Sequence, residues 1–125
     1  MKKEMPFWIL RIALSATFII IGIMILQEPL AWGSYLSPWA TKLLPTPLEQ
    51  AMVGTGILDI LVGTLLLINP LVWLGALLGS AHLVVVLVGS DINAFGITVR
   101  DIGLLGATLH IFLKTFPKEM LNRKQ

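Results

Sequence analysis

Four long apolar runs, at roughly 7–26, 49–68, 71–88 and 98–116, limit what this chain can fold into. Each is close to the ~20 residues that a helix needs to cross a ~30 Å hydrocarbon layer. In lipid every backbone N–H and C=O must be paired inside its own segment, which makes such runs helices. Membrane strands take only ~9–11 residues, so the isoleucines and valines here do not argue for a barrel. The expected fold is an all-α integral membrane protein, a single domain over 1–125 built as an antiparallel four-helix transmembrane bundle. Composition agrees: 56% of residues are hydrophobic and 13% charged, against about 45–50% and about 25% in soluble domains. Mean hydropathy is +0.87.

The breaks between runs are marked by turn formers. Pro29 follows the first run, Pro45 and Pro47 precede the second, and Asn69-Pro70 separates the second from the third in a very short turn. Gly89, Ser90, Asp91 and Asn93 precede the fourth run, and Pro117 ends it. No small-x-small site follows Leu26, so the first run reads as a retained helix rather than a cleaved signal peptide. Lys2, Lys3 and Arg11 near one end, and Lys114, Lys118, Arg123 and Lys124 near the other, outnumber the basic residues of the loops. By the positive-inside rule both termini face the cytoplasm, and the chain belongs in a cell (inner) membrane. The first loop, LAWGSYLSPWATKLLPTP, carries Trp32, Tyr35 and Trp39. It reads as a short element lying in the outer interface, sealing that face or gating it.

Cysteine is absent, which excludes disulfides, thiolate metal sites and the small four-helix membrane enzymes that pass disulfide electrons to quinone. A net charge of +2 gives no reason to expect nucleic acid as a partner.

Ionisable residues at membrane depth are costly and mark sites by default. The candidates are Arg11, Asp59, His82, Arg100, Asp101 and His110. Arg11 lies about one turn inside the first helix; it either snorkels to the headgroups or turns inward to a carboxylate. Asp59 sits in the middle of the second helix, too short to snorkel, with Gly56 and Gly63 close to its face for a neighbouring helix to approach. On that difference in depth, Asp59→Leu is expected to disturb the protein more than Arg11→Gln. His82 shares a stripe with Gly75 and Gly79 and reads first as a buried hydrogen-bonding residue. His110 lies toward the cytoplasmic half of the fourth helix. Two histidines and an aspartate on three helices suit a quinone or metal pocket, but metal-ligand spacing such as H-x-x-x-H is missing, and no metal is assigned.

The stretch ITVRDIGLLGATLH sets Arg100 and Asp101 at the outer mouth of the fourth helix. Thr98 as N-cap with Asp101 three residues on makes a variant capping box, and the carboxylate meets the positive end of the helix dipole. An arginine gains nothing from that dipole. It needs another holder: Asp91, Asp101, a headgroup phosphate or an anionic ligand.

WILRIALSATFIIIGI, PLAWGSYLSPWATKLLP, GTGILDILVGTLLLI and ITVRDIGLLGA, in that order, resemble the DoxX-like family of small bacterial membrane proteins over about residues 7 to 113. The resemblance implies a four-helix membrane bundle with Arg11, Asp59, Arg100 and Asp101 at the family's polar positions. It also implies a role as a subunit linked to quinone-dependent or redox-stress complexes. Asp59 stands where relatives carry an acidic residue, glutamate or aspartate, and as aspartate it has a reach toward Arg11 shorter by one methylene. Three readings of function remain: a non-catalytic scaffold or accessory subunit with a membrane protein partner, a quinone-linked oxidoreductase subunit, and a lipid- or small-molecule-binding or transport module acting as a homo-oligomer. The glycine pairs Gly75/Gly79 and Gly103/Gly106 suit the packing that the first requires.

Overall fold

The computed structural model describes residues 4–119, which are helical apart from their turns; a lone antiparallel bridge joins Leu36 to Ser90. Lys2, Lys3, Arg123 and Lys124, which set the expected orientation, lie outside the described residues. The helices are α1 (Met5–Gln27), α2 (Pro29–Gly33), α3 (Pro38–Leu43), α4 (Leu48–Leu67), α5 (Val72–Gly89), α6 (Phe95–Thr98) and α7 (Arg100–Thr115). Three helical stretches are long and apolar enough to cross a membrane: Met5–Gln27, Leu48–Leu67 and Asn69–Gly89. The fourth expected span is realised as α6 and α7 with a break at Val99. At 1.5 Å per residue the 16 residues of α7 reach about 24 Å, short of a full hydrocarbon layer.

Prolines set most of the boundaries. Pro6 sits in the first turn of α1, where its missing N–H costs nothing. Glu28, at φ −141°, ends that helix just before Pro29, which disfavours helical geometry in its predecessor. Pro47 stands at the N-cap of α4. Asn69-Pro70 forms a single 3₁₀ turn between α4 and α5, so the two helices reverse on each other at once.

That reversal fixes a register. Gly75 lies against Leu65 and Leu66, and Gly79 against Val62, each pair at nearly the same distance from the turn. α1 runs antiparallel to α4, with Gly22 opposite Gly56, Ser15 opposite Gly63 and Arg11 opposite Leu66. Here the backbones touch: a Cβ added to Gly22 would stand 2.6 Å from the Gly56 carbonyl oxygen, and one added to Gly63 2.8 Å from that of Ser15. Gly56 and Gly63 thus admit a neighbour, as their spacing predicts, and that neighbour is α1. Gly103 and Gly106 have no such neighbour among the described residues. A Cβ on either would meet nothing within 4 Å, because α7 turns them away from α5 and toward the outside.

α5 packs along α7, where Ser80 Oγ donates to Thr108 Oγ1 at 2.8 Å, and α7 touches α1 more lightly. Leu14, Phe18, Val62, Leu66, Val72, Ala76, Leu83 and Ile111 form the core between these helices. The outward faces are apolar too: Ile12, Ile20, Ile57, Val85 and Leu113 are all more than half exposed. In water so much exposed aliphatic surface would drive association; in hydrocarbon it costs nothing.

The first loop folds into α2 and α3 and is fastened to the end of α5. Ser37 N–H donates to Gly89 O and Asp91 N–H to Tyr35 O, both at 2.8 Å.

Candidate functional site

The register set by Asn69-Pro70 also decides where the polar side chains of α4 and α5 meet. Asp59 and His82 stand at nearly the same distance from the Asn69–Leu71 turn, and the structure places His82 Nε2 3.3 Å from Asp59 Oδ1. Their side chains are 6% and 12% exposed. The imidazole N–H does not point along the contact, so Oδ1 accepts no hydrogen bond among the described residues. Two arrangements keep the pair neutral: carboxylate with imidazolium, or carboxyl with neutral imidazole. Each leaves one acidic proton shared by two side chains inside an apolar layer, which is what a proton-transferring or hydrogen-bonding site requires.

The pair opens into a cavity of about 550 Å³. Its wall is overwhelmingly apolar, with Phe18, Ile21 and Ile25 from α1, Met52 from α4, Leu83 and Val86 from α5, and Leu104 from α7. Trp32, Tyr35, Leu36 and Trp39 form the part contributed by the first loop. The loop therefore covers a cavity in addition to any role at the headgroups. The covering follows from the backbone bonds that tie residues 35–37 to 89–91.

Arg100 and Asp101 line the same cavity. Arg100 Nε lies 3.7 Å from Asp101 Oδ1, and its guanidinium carbon 5.8 Å from the Trp32 ring. Asp101 and the Trp32 ring, rather than Asp91, are thus what hold the arginine, whose side chain remains 48% exposed. Thr98 is not at the N-cap of α7, where the sequence pattern puts it. Residues 95–98 close their own helical turn, so Thr98 ends α6 and its hydroxyl turns back to Ala94 O at 3.3 Å, while Val99 takes the N-cap of α7. Asp101 still lies in the first turn of α7, where the dipole favours a carboxylate.

Arg11 and His110 are elsewhere. Arg11 is 4% exposed and does not face Asp59. Its Nε donates to Leu66 O at 2.9 Å and its Nη1 to Asn69 Oδ1 at 3.0 Å, and the guanidinium lies 4.0 Å from the Trp8 ring. Leu66 O belongs to the last turn of α4, whose carbonyls have no partner within the helix, so Arg11 closes that helix end. Asn69, which sequence reasoning took only as a turn residue, is thereby a partner of the buried cation. His110 is exposed and meets the Phe7 ring edge-on at 6.5 Å; it lines neither cavity of the protein described here. Among the described residues no three His, Cys, Asp or Glu side chains are grouped to hold a metal ion.

Compared with family models, with curated proteins and with solved structures, the chain finds no match. What defines it is its own architecture: helices able to cross a membrane that enclose a carboxylate–imidazole pair in an apolar cavity.

Proposed function

We propose that the chain is a four-span antiparallel membrane bundle of the DoxX-like type, set in a bacterial inner membrane with both termini in the cytoplasm. In this reading it serves as an accessory subunit of a quinone-linked redox complex. The observation that carries the reading is the Asp59–His82 pair inside the apolar cavity of about 550 Å³. Ligand sites of this size are mostly apolar with a few convergent polar groups. A quinone has that division of character: a ring whose two carbonyls accept hydrogen bonds and an aliphatic tail that prefers hydrocarbon. His82 and a protonated Asp59 would each donate to a ring oxygen, and the aliphatic wall would take the start of the tail. When bound, a quinone supplies two-electron, two-proton redox chemistry; this chain supplies the pocket, the donors and a nearby proton.

Asp59, Arg100 and Asp101, three of the four polar positions that the resemblance singles out, line this one cavity. The same wall also accepts an acyl chain, which is the lipid-binding alternative. Protein purified in mild detergent, extracted with organic solvent and read by ultraviolet spectrum and mass spectrometry separates the two. One quinone per chain, lost in His82→Leu, supports the redox subunit. An acyl lipid in the same stoichiometry, lost in the same variant, replaces it with a lipid-binding module, and an empty cavity defeats both.

A further inference from the structure

At the opposite end of α4, Arg11 does more than cap a helix. A second cavity of about 360 Å³ lies there, lined by Glu4, Phe7, Trp8, Arg11, Asn69 and Lys114, with Thr115 beside them. Arg11 is almost wholly buried, yet only two of its three guanidinium nitrogens are used. Nη2 is shielded from solvent and, among the described residues, has no hydrogen-bond partner. A charged donor left unpaired in a buried setting costs free energy, which a ligand oxygen would return. Lys114 brings a second cation to the same cavity and stands 4.3 Å from the Phe7 ring. Glu4 shares the lining, but among the described residues it is within 4.0 Å of neither cation. Nearly the full length of the chain separates Phe7 from Lys114, so the two described ends meet at this cavity.

We propose that this cavity is an anion site for a phosphate group, with Arg11 Nη2 donating to one phosphate oxygen and Lys114 neutralising a second. An arginine fork matches phosphate geometry, and a flexible ammonium adds charge. The indole of Trp8 and the ring of Phe7 border the site as aromatic groups do at headgroup depth. Two sources offer the chemistry: the headgroup of an anionic phospholipid and free phosphate. Basic pockets between helix ends on the cytoplasmic side of membranes suit the former.

The test measures ligand-induced thermal stabilisation of the full chain in neutral detergent. Inorganic phosphate is titrated against chloride of equal ionic strength, and short-chain phosphatidylglycerol against short-chain phosphatidylcholine. Stabilisation by phosphatidylglycerol alone assigns the site to a lipid headgroup; stabilisation by phosphate as well opens it to the free anion. Lys114→Gln, at the exposed rim, is expected to raise the half-effect concentration about tenfold without altering the ligand-free melting temperature, roughly the cost of one lost charge-assisted contact. Arg11→Lys keeps the charge and loses the fork, and should weaken the response as well. No stabilisation beyond the chloride and phosphatidylcholine controls, or an unchanged response in Lys114→Gln, overturns the proposal.

Discussion

Arg11→Gln should destabilise this protein more than Asp59→Leu, the reverse of the order that depth in the sequence suggests. The structure supplies the terms. Arg11 holds the Leu66 carbonyl at 2.9 Å, and Leu66 is fully buried, so no water replaces the bond. A buried carbonyl stripped of its partner costs about 1–3 kcal/mol. The contact with Trp8 at 4.0 Å adds about 0.5–1 kcal/mol. Relief of the unpaired Nη2 returns part of this, leaving a net loss of about 2 kcal/mol. Among the described residues Asp59 makes a single polar contact, with His82, and it is poorly aligned. With Asp59 gone the imidazole of His82 can stay neutral, so the uncompensated buried charge that makes removal of one ion-pair partner costly does not arise, and Asp59→Leu should cost only about 0–1 kcal/mol. At about 4 °C per kcal/mol for a chain of this length, the melting temperature in mild detergent should fall by roughly 8 °C for Arg11→Gln and by no more than roughly 4 °C for Asp59→Leu. Thermal unfolding followed by tryptophan fluorescence decides the matter. An Asp59→Leu variant that melts below Arg11→Gln would show that the pair with His82 is a structural clamp and that the balance above is wrong.

Three further outcomes are expected. Gly22→Ala forces a methyl to within 2.6 Å of the Gly56 carbonyl oxygen and should cost about 1–3 kcal/mol, whereas Gly103→Ala meets open space and should leave the melting temperature within a degree or two; equal losses in both would mean that α1 and α4 do not cross here. Ser37→Pro suits the local φ of −64° and removes the N–H that binds Gly89 O, so hydrogen exchange at the Asp91 amide should accelerate as the first loop lifts. An unchanged rate would detach the loop from the fastening described. A single alanine inserted between Leu71 and Val72 turns α5 by about 100° relative to α4. It should separate His82 from Asp59 and abolish retention of whatever ligand the larger cavity holds, and retention at the original stoichiometry would remove the pair from the site.

Much of the helix plan is legible because membrane helices are limited by length and by backbone pairing, and both are written in apolar runs and prolines. The fourth run shows where that legibility stops. Apolar length locates 98–116, but the break at Val99 depends on a short turn closing over 95–98, and nothing in the spacing of Thr98 and Asp101 distinguishes a capping box from a helix end. Glycine pairs are likewise ambiguous. Gly56/Gly63 and Gly103/Gly106 look alike in sequence, yet one pair meets the backbone or side chains of α1 and the other meets nothing, because the direction a helix face takes is a tertiary fact.

The polar residues divide by a rule that was present in the sequence but needs the turn to be read. A reversal as short as Asn69–Leu71 leaves two helices little freedom to slide, so residues at nearly the same distance from it become neighbours, and Asp59 and His82 are such a pair. Arg11 obeys the same logic one helix earlier: matching Gly22 to Gly56 and Ser15 to Gly63 carries Arg11 to the far end of α4 and away from Asp59. Depth along a single helix therefore says how costly a charge is, whereas register between helices says which charge it can meet. The two cavities follow from that register, one at each end of α4: a proton-bearing pair under the aromatic loop, and an unfinished guanidinium where the chain's two described ends meet. Arg11 is held away from Asp59, the buried carboxylate of α4, and its unfinished guanidinium is free to take a counter-charge from outside the protein.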